Sequence, residues 1–325
     1  MTDEIGKAGR SGRSGRRDDR PPLPPKRDIH GWIALDKPYG MTSTRAVGVI
    51  KRLLRPKKVG HAGTLDPLAT GMLPIALGEA TKTVPYVQDS QKRYRFTVRW
   101  GAATATDDRE GDVVATSGVR PERGAIEAAL PAFCGTIMQR PPAFSAIKVD
   151  GARAYDLARD GEAVDLPPRP IHIDDIALVD CPDVDHAVLE IACGKGTYVR
   201  ALARDLAEAL GTRGHVSALA RTAVGPFDET HAISLDRIEE LGHNAPAPID
   251  PAPFLFPVET ALDDIPALAI GTGEAVRLKR GQAILLRGSS ATVLSGPAFA
   301  TERGTLVAIG EVERGSLVPK RVFNL

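Results

Sequence analysis

The chain has 325 residues, 42 Lys and Arg against 41 Asp and Glu, and 42% hydrophobic side chains. That length suggests two domains with a large buried core, and a net charge of +1 excludes a uniformly basic nucleic-acid coat, so any RNA contact must come from local patches. Cys134, Cys181 and Cys193 form no close pair, which argues against a disulfide framework or zinc knuckle and fits a reducing cytoplasm. The histidines show no metal-protease spacing, and no apolar run reaches the roughly 18 residues of a membrane span.

In chain order, residues 1–28 form a basic tail with Ser-Gly-Arg repeats and a Pro21 to Pro25 run; up to Arg27 it carries eight Lys or Arg against four Asp or Glu. Its apolar surface is too small to offset ordering entropy, which predicts disorder, and it lacks the apolar segment of a secretory signal. An Arg-rich arm can add phosphate contacts or remain a solvated extension. Order is expected from Gly31, where a short apolar strand to Leu35 delivers Lys37 and Pro38 into a turn. A helix follows, capped by Ser43 or Thr44, with Ala46, Val47, Ile50, Leu53 and Leu54 at helical spacing and Lys51, Arg52 and Arg55 towards solvent.

Residues Arg93 to Trp100 alternate, with Tyr94, Phe96, Val98 and Trp100 on one face, which is a strand pattern. An insertion near 139–170 interrupts the sheet, with a short helix around Ala154 to Asp160. A strand over Ala187 to Cys193 then turns through Gly194-Lys-Gly196 into a helix capped by Thr197, with Val199, Leu202, Leu206 and Leu210 inward and Gly211 as its stop. The Pro- and Ala-rich stretch from Gly242 to Pro257 reads as a linker. Beyond it, the runs Ala275 to Leu278, Ala291 to Leu294, Leu306 to Ile309 and Leu317 to Phe323, separated by Gly turns, predict a small β-rich domain. Its Lys279, Arg280, Arg287, Lys320 and Arg321 can meet RNA or simply solubilise the domain.

The run His61-Ala-Gly-Thr-Leu-Asp66-Pro-Leu-Ala-Thr-Gly71 sets one carboxylate between a Gly-flanked turn and a Pro. As a pattern it reads first as a turn, since Asp before Pro favours turn initiation and glycine supplies positive φ. A lone acid in such a place is also a candidate nucleophile. Continued through Met-Leu-Pro74, this run resembles the signature of the TruB family of tRNA pseudouridine synthases, of bacterial type. Four more blocks stand in family order: Leu35-Asp-Lys37-Pro38-Tyr-Gly40-Met-Thr-Ser43 upstream, and Gly78-Glu-Ala-Thr-Lys82, Lys92-Arg-Tyr94-Arg and Gly194-Lys-Gly-Thr-Tyr198-Val-Arg200 downstream. Position 62 is Ala where many members carry Gly or Thr, which bears on fine loop geometry.

The resemblance implies an α/β (α+β) fold: a catalytic domain over 29–258 with a central mixed or antiparallel sheet flanked by helices and an RNA-gripping insertion near 139–170. A PUA-like RNA-binding domain over 259–325 completes it. The implied activity is the isomerisation of uridine 55 in the tRNA T-loop, by a monomer, with no metal or cofactor. Asp66 is then the catalytic carboxylate, and Arg200 its ion-pair partner, offsetting the penalty that burial places on an acid of reference pKa about 3.9. Tyr94 is the ring on which the flipped base stacks, Tyr198 a second ring and Leu219 an apolar wall. His61 can act as a base or as a wedge beside the flipped base, and Lys37 and Pro38 brace the loop. Two other readings stay open: an RNA-binding or RNA-folding module, and a synthase for a different RNA uridine. A phosphate-binding nucleotidase is disfavoured, because no P-loop follows a strand.

Overall fold

The computed structural model describes residues 25–145, 147–149, 152–153, 166–243, 248–286 and 294–325. Strands β1 (Gly31–Lys37), β2 (Val59–His61), β3 (Thr70–Leu77) and β4 (Lys92–Trp100) begin the main sheet. A small hairpin of β5 (Ala102–Thr104) and β6 (Val113–Thr116) follows, then β7 (Gly135–Gln139) and a second hairpin of β8 (Lys148–Val149) and β9 (Ala152–Arg153). Strands β10 (Arg169–Asp183), β11 (His186–Cys193), β12 (Gly214–Val224), β13 (Phe227–Asp228) and β14 (Ile233–Ser234) complete a mixed sheet in the order β14-β1-β3-β12-β4-β11-β10-β7. Its helices are α1 (Ser43–Leu54), α2 (Val84–Asp89), α3 (Arg123–Ala129), α4 (Val199–Ala209) and α5 (Leu235–His243). The expectation of a central mixed sheet flanked by helices, with a β-rich C-terminal unit, holds.

Period-two alternation sorts β1 and β3 onto two cores. Ile33, Leu35, Leu73 and Ile75 face the helical side with Ile50 of α1 and Leu202 of α4, whereas Trp32, Ala34, Met72 and Ala76 face a second core with Phe227, Phe299 and Phe323. Strand β4 is covered on one face only: Phe96, Val98 and Trp100 are buried while Arg93, Arg95 and Arg99 are exposed. Thr42, rather than Ser43 or Thr44, caps α1 by accepting from the Arg45 amide, and Ser43 is buried for another task described below. Thr197 does not cap α4; its hydroxyl turns back to the Gly194 carbonyl, and Tyr198 occupies the cap position without a side-chain bond.

Ordered contacts begin before Gly31, since Arg27 bonds the Ile249 carbonyl at 2.6 Å and Asp28 pairs with Lys57 at 2.7 Å. The stretch from Gly242 to Pro257 is no free linker where it is described. Ile249 and Phe254 are buried, and Phe256 exchanges backbone bonds with Trp32, 2.8 Å each way. Gly31 permits that approach, because at φ 143° a Cβ there would lie 2.4 Å from the Phe256 carbonyl oxygen. The expected helix at Ala154 to Asp160, Arg287 and residues 291–293 of one expected strand lie outside the described residues. So does nearly all of the N-terminal tail. The chain departs from the sheet after Gln139 and rejoins it at Arg169, which pairs directly with Gln139.

The C-terminal unit holds β15 (Ala267–Ala269), α6 (Thr272–Lys279), β16 (Ile284–Leu285), β17 (Gly296–Glu302), β18 (Thr305–Glu313) and β19 (Ser316–Val322). Its sheet runs β15-β17-β18-β19-β16. The run Ala275 to Leu278 is helix rather than strand: Glu274 takes the Gly271 amide at 2.9 Å, and Ala275 and Leu278, three apart, share the buried face while Val276 is exposed.

Candidate active site

The turn bearing Asp66 is held from several sides. Ser43, at the start of α1, donates its hydroxyl to the Leu65 carbonyl at 3.0 Å and accepts the Leu65 amide at 2.8 Å. Lys37, at the end of β1 and fully buried, donates to the carbonyls of Pro38 at 2.9 Å, Met41 at 2.7 Å and Pro67 at 3.4 Å. It thereby joins the turn after β1 to the Asp66-Pro67 turn, while Pro38 itself is exposed. Burial pushes the Lys37 ammonium down to about 8, against the pull of the Asp66 carboxylate. The Asp66 carbonyl closes the turn by accepting the Ala69 amide.

Arg200 meets Asp66 at 2.9 Å from the first turn of α4. The guanidinium is nearly buried, at 5% side-chain exposure, whereas the Asp66 side chain is 38% exposed: the cation lies inside and the acid faces out. Arg200 also donates to the carbonyls of Thr106 and Phe144, both at 2.8 Å, and approaches the buried Asp108 carboxylate at 3.6 Å. One turn later, Arg204 pairs with Asp107 at 2.9 Å and donates to the Arg140 carbonyl. The two arginines thus gather the loop after β5 and the start of the insertion onto one helix face. Asp108 tightens its own loop by accepting the Thr106 hydroxyl and the Glu110 amide, and burial, with Asp108 and Asp66, pushes the Glu110 carboxyl up. Arg109 of this loop lies 4.6 Å over the Tyr39 ring, so the loop after β5 also touches the turn after β1.

Tyr94 stands on β4 directly opposite Arg221 of β12. Burial pushes its phenol up, and the Arg221 guanidinium acts in the opposite sense. His61 ends β2 opposite Ile75 of β3; burial and then Arg221 push its imidazole down, which favours the neutral ring. Tyr198 is fixed through its backbone by Gln139, whose carboxamide accepts the Tyr198 amide at 2.9 Å and donates to its carbonyl at 3.1 Å. Arg169 lies over the Tyr198 ring at 5.3 Å. Leu219 is nearly buried opposite Phe96, two residues before Arg221.

The structure therefore joins Asp66, Arg200 and Lys37 directly, sets Tyr94 and His61 around Arg221, and ties Tyr198 in through the chain next to Arg200. Asp108, Gln139, Arg221 and Ser43 were not among the residues expected from sequence to build the site. Asp108 sits in a Thr-x-Asp turn pattern and Arg221 closes the run His215 to Arg221, but their partners lie far away in sequence. Among the described residues, no three His, Cys, Asp or Glu side chains group to hold a metal, and no helix is long and apolar enough to cross a membrane.

Residues 51–199 match the family described as TruB family pseudouridylate synthase (N terminal domain), and residues 200–263 match the tRNA pseudouridylate synthase B C-terminal domain. A protein of Bradyrhizobium diazoefficiens named tRNA pseudouridine synthase B is 61% identical over 92% of this chain and 87% of its own length. A namesake from Caulobacter vibrioides is 55% identical over 91% and 97%. The chain belongs to the TruB family of pseudouridylate synthases. Among solved structures, a chain of a Cbf5-Nop10-Gar1 complex superposes with a TM-score of 0.68 at 25% identity, covering 91% of this chain and 84% of that one. An archaeal box H/ACA sRNP Nop10-Cbf5 complex gives the same TM-score at 24% identity, covering 91% and 86%, a likeness of fold. As a TruB family member, the chain is a pseudouridine-forming isomerase whose first matched region contains Asp66, Tyr94 and Tyr198.

Proposed function

We propose that this chain converts uridine 55 in the T-loop of tRNA to pseudouridine, with Asp66 as the reactive carboxylate. The observation that carries the reading is the half-exposed Asp66 carboxylate held at 2.9 Å by a nearly buried Arg200, in a chain of the TruB family. Its similarity to proteins named tRNA pseudouridine synthase B supports tRNA as the substrate.

The reaction breaks the C1′–N1 bond, joins C1′ to C5, releases the C5 hydrogen as a proton and returns a proton to N1, with no net redox change. An anchored carboxylate suits it, because it can act covalently or electrostatically while the enclosing loops keep water from the separated base. Everting the uridine costs a few kcal/mol, and stacking on Tyr94, worth about 1–3 kcal/mol, offsets it. Arg200 orients Asp66, Tyr198 and Leu219 wall the base, and His61 stands beside it. The braced loop of Lys37 and Pro38 completes the pocket.

The same reading takes the insertion near 139–170 and the PUA-like unit over 259–325 as grips on the T-stem-loop, with the basic tail of 1–28 adding phosphate contacts. It describes a monomer working in the cytoplasm without metal or cofactor. The test uses tRNA transcripts carrying U or C at position 55 with the parent and Asp66→Asn. The parent forms pseudouridine on the U transcript alone. The variant binds equally well and loses activity by at least about 10³-fold, as expected for a covalent or charge-stabilising group. Product at another uridine, or parent-rate turnover by the variant, overturns the reading.

A further inference from the structure

Arg221 is 2% exposed, yet it carries a full charge on a strand of the main sheet. Its backbone lies between two parts of the site, opposite Tyr94 on β4 and beside Gly71 on β3. The approach to β3 is close: at φ 93°, a Cβ on Gly71 would lie 2.4 Å from the Arg221 carbonyl oxygen. The guanidinium is committed in two further directions. Nε donates to the Met72 carbonyl at 2.7 Å, and Nη2 donates to the Gly63 carbonyl at 3.0 Å, inside the turn that leads to Asp66. Nη1 lies close under Gly63 as well, 3.3 Å from where a Cβ would stand. A planar fork can hold two carbonyls and still face a phenol; a lysine ammonium reaches such partners only as a point charge.

We propose that Arg221 is a positioning residue: its guanidinium ties the turn carrying Asp66 to the strand carrying Tyr94, fixing the spacing between carboxylate and phenol. The inference rests on Asp66 and Tyr94 acting as set out above. Its charge is felt across the same site, pushing His61 and Lys37 down as well as opposing the rise at Tyr94. A structural arginine that only secured β12 would need neither the bond to Gly63 nor the place opposite Tyr94.

The experiment is a double-mutant cycle of Arg221→Lys and Tyr94→Leu, which removes the stacking ring, read by single-turnover pseudouridine formation on a tRNA transcript and by tRNA binding at equilibrium. Arg221→Lys is expected to bind tRNA within about twofold of the parent and to lose at least tenfold in rate. In the Tyr94→Leu background, where no ring is left to position, the same substitution should cost less than threefold. Arg221→Gln, which keeps N–H donors without the charge, serves as the second variant. Parent-like rates in Arg221→Lys, or equal losses in both backgrounds, overturn the proposal; so does failure of both substitutions to fold, which would assign Arg221 to stability alone. The parent protein in the same assay separates this outcome from failure of the functional reading: a parent that forms no pseudouridine refutes the latter.

Discussion

The Asp66 cleft and the seam behind β1 and β3 are built from opposite materials. In the cleft, Lys37, Ser43, Gln139, Arg200, Arg204 and Arg221 all aim side-chain donors at backbone carbonyls of neighbouring loops. At the seam, Trp32 and Met72 meet Phe227, Phe299 and Phe323 in an apolar cluster, with Trp32 and Phe227 ring centres 5.5 Å apart. Trp32 Nε1 is buried there without a hydrogen-bond partner, and polar ties such as Lys82 to the Val322 carbonyl stand at the edge. Hydrogen bonds impose direction and fix loops to fractions of an ångström, whereas apolar contact is non-directional and scales with area. The contrast teaches that site geometry and attachment of the C-terminal unit can fail separately.

Arg200→Met should give the largest combined effect. It leaves Asp108 buried and uncompensated, which costs about 3–5 kcal/mol, and it frees Asp66, so single-turnover rate should also fall by at least about a hundredfold. Urea unfolding and the tRNA assay check the two halves. Phe323→Ala attacks the seam instead: it should cost about 3–5 kcal/mol in urea while the rate per folded molecule on saturating tRNA stays within twofold. A proportionate loss of rate would break the contrast.

Gln139→Leu keeps the volume but orphans the Tyr198 amide, for a cost of about 1–3 kcal/mol in the same unfolding experiment. The smallest effect is on pH dependence. Lys37 is held at about 8 in the fold against an ordinary 10.5, so between those values the unfolded chain keeps a proton that the folded chain has released. Its contribution to stability is therefore least favourable below about 8 and improves as pH rises to about 10.5. The parent should gain on Lys37→Met between pH values below and within that window, measured as the difference in urea midpoints.

The fold was most legible where one face is apolar and the period is unbroken. Strand β4 and helices α1 and α4 follow their spacing closely, although both helix caps differ from expectation because Ser43 is claimed by Leu65 and the Tyr198 backbone by Gln139. Strand β10 was hidden by its acidic residues and by register breaks after Ile173, Leu178 and Asp180, which destroy the alternation. Helix α6 reads as a strand in the sequence because only Ala275 and Leu278 mark its buried face between two glycines. In the site, Asp66, Arg200 and Tyr94 stood out through their family resemblance. Asp108, Gln139 and Arg221 did not, because each acts on groups that are distant in sequence: Gln139 is 59 residues from Tyr198, and Arg221 is 158 from Gly63. Local spacing carries no record of such partners.

Because Gln139 and Arg169 are paired neighbours, the chain between them is a graft whose two ends already meet on the parent sheet. Arg204 and Arg200 seize its root at Arg140 and Phe144, so whatever is attached further out begins from an anchored stump. The entropy of closing a flexible loop grows only with the logarithm of its length. A connection whose two ends already meet can accordingly change length with little thermodynamic penalty, because the paired strands and the anchors at Arg140 and Phe144 stay as they are.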